Sequence, residues 1–143
     1  GSPTPRARVG EVIHSGHGPA ELPRLVRVRT TERVADAIVT LERYGISQMP
    51  VTERDDDQIE GIVGSISEKG LLERAYRKPE IVERTVGEVM DRPLPTIAAG
   101  APVEDAFELL AGGAAALVAV ADGRPTGVIT KLDLLEFLAR RDS

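Results

Sequence analysis

Val34, Ala37, Ile38 and Leu41 recur at the three- and four-residue spacing that lines up apolar side chains on one face of a helix, and predict a helix over residues 32–44. Thr30 or Thr31 can cap its start, and Gly45 can end it. Residues 47–52 and 59–64 then read as short strands joined by a polar stretch over 53–58. A second helix over 67–76 would bury Leu71, Leu72 and Ala75. The same succession returns further on, with a helix over 102–112, a strand over 116–121, an Asp122-Gly123 turn and a strand over 126–130. An amphipathic helix over 131–140 follows, carrying Leu132, Leu135, Phe137 and Leu138.

The return is visible in the residues as well as in the pattern. Val9-Gly10-Glu11-Val12-Ile13 is answered by Val86-Gly87-Glu88-Val89-Met90, and Val34-Ala35-Asp36-Ala37 by Val103-Glu104-Asp105-Ala106. Glu60-Gly61-Ile62-Val63 is set against Thr126-Gly127-Val128-Ile129, in the same order along each copy. The expected organisation is a tag remnant and linker over 1–8, a first repeat over 9–76, a linker over 77–84 and a second repeat over 85–143. Thr85-x-x-Glu88 forms a capping box at the opening of the second copy. Each copy is a β-α-β-β-α unit, so the fold class is α/β (α+β), a tandem repeat packed with pseudo-two-fold symmetry. A copy of this size buries little apolar surface alone, which predicts a shared interface with a binding cleft in it.

Composition narrows the function classes. With 143 residues the chain has no room for separate cofactor and substrate domains. A net charge of −5, with only Lys69, Lys78 and Lys131 as lysines, argues against a surface that tracks phosphates, and 3% aromatic residues against a base-stacking platform. Nucleic acid is therefore not an expected partner. The absence of Cys removes thiolate chemistry and agrees with a cytoplasmic location, and no apolar run reaches membrane-spanning length.

The strongest local signal is Gly127-Val128-Ile129-Thr130-Lys131-Leu132-Asp133, where a strand ends on a hydroxyl and a carboxylate follows three residues on. An ionised carboxylate accepts two hydrogen bonds side by side and suits the adjacent hydroxyls of a ribose. The same Thr-x-x-Asp spacing also describes an ordinary helix cap, and both readings stand at this point. Ser65 and Glu68, read with a one-residue insertion, would be the counterparts in the first copy, with a longer arm and a poorer fit. Residues 45–51 end a helix at Gly45 and begin a strand whose Pro50 predicts an edge position with free backbone groups for an adenine rim. The alternative is a plain edge strand with Ile46 and Met49 in the core. His14 and His17 lack a carboxylate at ligand spacing, and Asp55-Asp56-Asp57 lacks the glycine and terminal glutamate of a calcium loop. No metal site and no catalytic residue is expected.

The duplication, the Thr130-x-x-Asp133 ending and the Gly45-to-Val51 strand resemble the paired domains named after cystathionine β-synthase, the Bateman module. Residues 44–51, 64–68 and 127–135 resemble more closely the C-terminal regulatory region of an actinobacterial-type cystathionine β-synthase. The resemblance implies a non-catalytic module that binds S-adenosylmethionine, or AMP or ATP, and regulates or stabilises an attached enzyme. The ligand would be held by Ile129, Thr130 and Asp133 with Ile46, Ser47, Gln48 and Met49, closed by Leu25, Val26 and Val28. A weaker second pocket would use Ser65 and Glu68 with Thr96, Ile97, Ala115, Ala116 and Leu117. No cofactor is implied in this chain, pyridoxal phosphate belonging to a catalytic domain ahead of residue 1. The implied partners are that domain and a second module in a homodimer. An assembly module without ligand is the competing reading, and Arg24, Arg27 and Arg29 leave a phosphate ligand open.

Overall fold

The structure, a computed structural model, describes residues 7–14, 25–54 and 58–141. In chain order its elements are α1 (Val9–His14), β1 (Val28–Arg29), α2 (Val34–Tyr44), β2 (Gln48–Thr52), β3 (Ile62–Ser67) and α3 (Glu68–Arg77). They continue with α4 (Val86–Val89), β4 (Thr96–Ala98), α5 (Val103–Ala111), β5 (Leu117–Ala121), β6 (Arg124–Ile129) and α6 (Lys131–Arg141). These form two compact units: a continuous unit of residues 26–94, and a split unit joining residues 1–25 to 95–143. The β-α-β-β-α order expected of each copy is present in both.

Each sheet has three strands, in the orders β1-β2-β3 and β4-β5-β6. The first strand of each runs parallel to the second, and the second antiparallel to the third. This corrects the edge position expected for Pro50, because β2 is the central strand of its sheet. Proline is tolerated there because β1 pairs only with Val51 and Thr52, leaving residues 48–50 beyond its ladder. The expected strand over 59–64 also shifts: Ile59–Gly61 is a single 3-10 turn, and β3 runs on to Ser67. In the other sheet Asp122 and Gly123 both take the left-handed conformation, at φ 54° and 74°, and close the β5–β6 hairpin as a two-residue turn.

The helices follow the apolar stripes with some rotation. Val34, Ala37 and Leu41 of α2 are buried beside Met49, Val51 and Ile66. Gly45 ends α2 at φ 62°, where a side chain would be strained, while Ile46 N–H reaches back to the Leu41 carbonyl. Neither Thr30 nor Thr31 caps its start; Arg33 occupies that place, and Val34 N–H donates to the Arg84 carbonyl instead. In α3 Leu71 enters the core, whereas Leu72, expected inside, is 73% exposed. One residue further along a helix is about 100° further round, so the stripe admits Leu71 and Ala75 and turns Leu72 outward. In α6 Leu134 and Phe137 likewise pack against the core, and Leu132, Leu135 and Leu138 stay exposed.

The opening helices of the two repeats are exchanged. Val86 and Gly87 of α4 donate to the carbonyls of Glu32 and Thr30 in the first repeat. Val9 and Gly10 of α1 donate to those of Ala101 and Ala99 in the second. Each unit is therefore completed by the leading segment of the other copy, and α1 belongs with β4, β5 and β6. Two separate cores result, one around Met49 and Ile66, the other around Leu117 and Ile129.

Candidate functional site

In the split unit β6 delivers the chain to Thr130, and α6 begins at the next residue. Asp133 Oδ2 accepts hydrogen bonds from Thr130 N–H at 2.8 Å and from the Thr130 hydroxyl at 2.9 Å. Asp133 N–H in turn donates to Thr130 Oγ1 at 3.2 Å. This is a reciprocal cap, so the bland reading of the motif is realised. Both carboxylate contacts fall on Oδ2, and among the described residues Asp133 Oδ1 has no hydrogen-bond partner. The cap fixes the rotamer of a half-buried carboxylate and leaves one oxygen available to hydroxyl donors.

The strand registers of the continuous unit decide which residues correspond. Val51 faces Gly64 and Met49 faces Ile66, just as Ala119 faces Gly127 and Leu117 faces Ile129. Gly64 thus matches Gly127 without insertion, and the counterparts of Thr130 and Asp133 are Ser67 and Gly70, not Ser65 and Glu68. Ser67 caps α3, accepting Gly70 N–H at 3.0 Å. Ser65 is buried and fully engaged: its hydroxyl donates to the Arg92 carbonyl at 2.6 Å, and its backbone exchanges two hydrogen bonds with Asp91. Glu68 is exposed, its N–H donating to the Ser47 carbonyl at 2.8 Å.

Where unit symmetry would place a carboxylate, Gly70 has none, and Asp91 supplies one from the segment after α4. A Cβ on Gly70 would lie 2.9 Å from Asp91 Oδ2, and Asp91 Oδ1 is paired with Arg74 Nη2 at 2.7 Å. Sequence reasoning missed Asp91. The ungapped match of Gly64-Ser65-Ile66-Ser67 with Gly127-Val128-Ile129-Thr130 was readable, but no spacing links residue 91 to residue 70.

The remaining expected contacts divide by burial. Val28, Met49, Ile97, Leu117 and Ile129 point into the two cores and Ala116 is buried, so only their backbone could meet a ligand. Leu25, Val26, Ile46 and Gln48 are half-buried, and Ser47, Thr96 and Ala115 are exposed. At the Pro50 position the split unit has Val118, whose N–H donates to the Pro95 carbonyl at 2.9 Å; proline leaves no donor there. His17, Arg24 and Asp55, Asp56 and Asp57 lie outside the described residues, as does the side chain of His14. Among the described residues no group of three or more His, Cys, Asp or Glu could hold a metal, and no helix is long and apolar enough to cross a membrane.

At the start of α4 the expected capping box is present, with Glu88 Oε2 accepting from Thr85 N–H and from the Thr85 hydroxyl at 3.0 Å each. The Thr85 backbone donor, then its hydroxyl, and more weakly the Arg84 guanidinium hold the exposed Glu88 carboxyl below the usual carboxylate range.

The family model of the CBS domain matches the chain twice, over residues 20–76 and 86–140. An A-adding tRNA nucleotidyltransferase from Aquifex aeolicus is 34% identical over 104 residues, 72% of this chain but 12% of that enzyme's length. The fold is similar to that of a signal-transduction protein with CBS domains from Burkholderia ambifaria, with a TM-score of 0.80 and 18% identity over 96% of this chain and 97% of that one. It is also similar to CBSX2, solved in complex with AMP, with a TM-score of 0.73 and 22% identity over 95% and 98% of the two chains.

Proposed function

The chain belongs to the CBS-domain family, and from that premise we propose that it is a non-catalytic regulatory module whose split unit holds the ribose of an adenosyl ligand at Thr130 and Asp133. The observation that carries the proposal is Asp133 Oδ1, an acceptor without a partner among the described residues, on a carboxylate whose other oxygen is fixed by its own cap. A ribose diol would donate to that carboxylate, and the N-terminal end of α6 favours negative charge at the same place. That a structural relative was solved with AMP supports an adenosyl ligand. The resemblance adds Ile46, Ser47, Gln48, Met49, Leu25, Val26 and Val28; of these, Ser47 and Gln48 keep polar side chains outside the core. Ligand binding would bias an attached enzyme only by the difference in its affinity for that enzyme's two states.

Calorimetric titration of the chain with AMP, ATP and S-adenosylmethionine tests this. Asp133→Asn keeps an oxygen for the cap and removes the charge, so affinity should fall about tenfold or more. Equal affinity in wild type and Asp133→Asn would refute the assignment.

The finer reading, an S-adenosylmethionine sensor attached to a cystathionine β-synthase, rests on the resemblance of residues 44–51 and 127–135 and on the net charge of −5, which suits a cationic ligand. It predicts tighter binding of S-adenosylmethionine than of AMP or ATP in the same titration. A ligand-free assembly module is favoured by a different observation: Thr130 and Asp133 are engaged with each other in the α6 cap, while Leu72, Tyr76, Leu132 and Leu135 are exposed. It predicts no heat with any of the three compounds and a dimer in sedimentation that Leu135→Asp dissociates.

A further inference from the structure

We infer that Asp91, held by Arg74, is a resident carboxylate that closes the continuous unit to the ligand, so that the chain takes up one adenosyl molecule and not two. The inference rests on the ribose reading of Asp133 and extends it to the other copy. Both units carry a hydroxyl at the end of the third strand, Thr130 in one and Ser67 in the other. They differ in where the acid comes from. In the split unit it stands on the helix, three residues after the hydroxyl, and its bonded oxygen serves the helix cap rather than a cation. In the continuous unit the helix contributes Gly70, and Asp91 Oδ2 lies 2.9 Å from the point a Cβ would occupy. A carboxylate that stays 46% exposed thereby stands over the position of the missing side chain.

Three contacts keep Asp91 there. Its backbone exchanges hydrogen bonds with Ser65 at 2.8 and 3.0 Å, the Ser65 hydroxyl ties down the Arg92 carbonyl, and Arg74 one turn beyond Gly70 neutralises its charge at 2.7 Å. The helix face that presents Asp133 and Phe137 in the split unit presents Gly70 and Arg74 here. A carboxylate already paired with a guanidinium is a weakened acceptor for a neutral diol. A second adenosyl ligand would therefore meet a carboxylate already committed to Arg74.

The test transplants the acid. Titrated with AMP, and separately with S-adenosylmethionine, wild type should bind about one equivalent per chain, Asp91→Ala likewise, and Gly70→Asp/Asp91→Ala about two. Two equivalents in wild type, falling to one in Asp91→Ala, would overturn the inference and make Asp91 a ligand contact. One equivalent in the double variant, with thermal unfolding showing it folded, would overturn it too. A ligand-free arm separates this from the reading it rests on. Gly70→Ala should lower the unfolding temperature more in wild type, where its Cβ would meet Asp91 Oδ2 at 2.9 Å as well as Ser67 Oγ at 3.0 Å, than in Asp91→Ala, where only the Ser67 contact remains against the helix-propensity gain. Equal shifts in both backgrounds refute the placement of Asp91. No heat with either compound refutes the ribose reading, and with it the stoichiometry, whatever the shifts from Gly70→Ala.

Discussion

The starts of α3 and α6 are the same structural event with different chemistry. In both, a central strand flanked by a parallel and an antiparallel neighbour hands over, through the third strand, to a helix capped by a hydroxyl. In α6 the acid that completes the cap belongs to the helix; in α3 the helix has Gly70, the cap is the Ser67 hydroxyl alone, and the carboxylate of Asp91, 21 residues downstream by sequence number, lies beside Gly70 without bonding the cap. Duplicated copies thus keep backbone geometry, which every residue of the unit enforces, and diverge at single side chains that the fold does not require.

The comparison is broken most severely at Gly64. A Cβ there would lie 2.6 Å from Met90 Sδ and 2.8 Å from the Asp91 carbonyl oxygen, backbone that cannot step aside while it is bonded to Ser65. Gly64→Ala should cost about 3 kcal/mol in urea unfolding and release Asp91 from β3. At Thr52 the two units differ in the opposite sense. Its hydroxyl is buried without a partner among the described residues, and the register gives Val120 as its counterpart in the split unit. Thr52→Val should stabilise by about 1–2 kcal/mol, measured by the same unfolding, by removing an unpaired buried polar group.

Asp133→Ala deletes the acid half of the α6 cap and should cost about 1 kcal/mol, whereas Ser67→Ala should cost about as much by removing the α3 hydroxyl alone. Matching losses in a double set of melts would show that the two starts are equal as caps and unequal only as sites. The smallest effect concerns Glu88. Its carboxyl titrates lower in the folded chain than in the unfolded one, so its contribution is present above the unfolded value and disappears as pH falls through the folded one. The difference in unfolding temperature between wild type and Glu88→Gln should accordingly shrink as pH is lowered below the ordinary carboxylate range.

Much of the fold was legible because it rests on local rules. Gly45, the Asp122-Gly123 turn and the Thr85-x-x-Glu88 box each dictate a backbone conformation within a few residues, and each stands where the pattern put it. Leu72 was misread as inward because hydrophobicity says that a residue prefers burial, not which side of a stripe has room. Pro50 pointed to an edge because the chain does not announce that β1 would be only two residues long. Thr130 and Asp133 were singled out by their spacing, and the reciprocal cap that joins them is what that spacing describes. Ser65 and Glu68 were paired with them because Gly61 was matched to Gly127; strand register, a property of two segments at once, selects Gly64. Asp91 depends on a contact made across two helices and a 3-10 turn and had no sequence signature.

The exchange of leading helices also decides how the chain is wired to whatever adjoins it. Because α1 and α6 both belong to the split unit, the continuous unit is topologically an insertion between them. A polypeptide joined ahead of Val9 and one joined after Arg141 would both be tethered to the unit that carries Thr130 and Asp133.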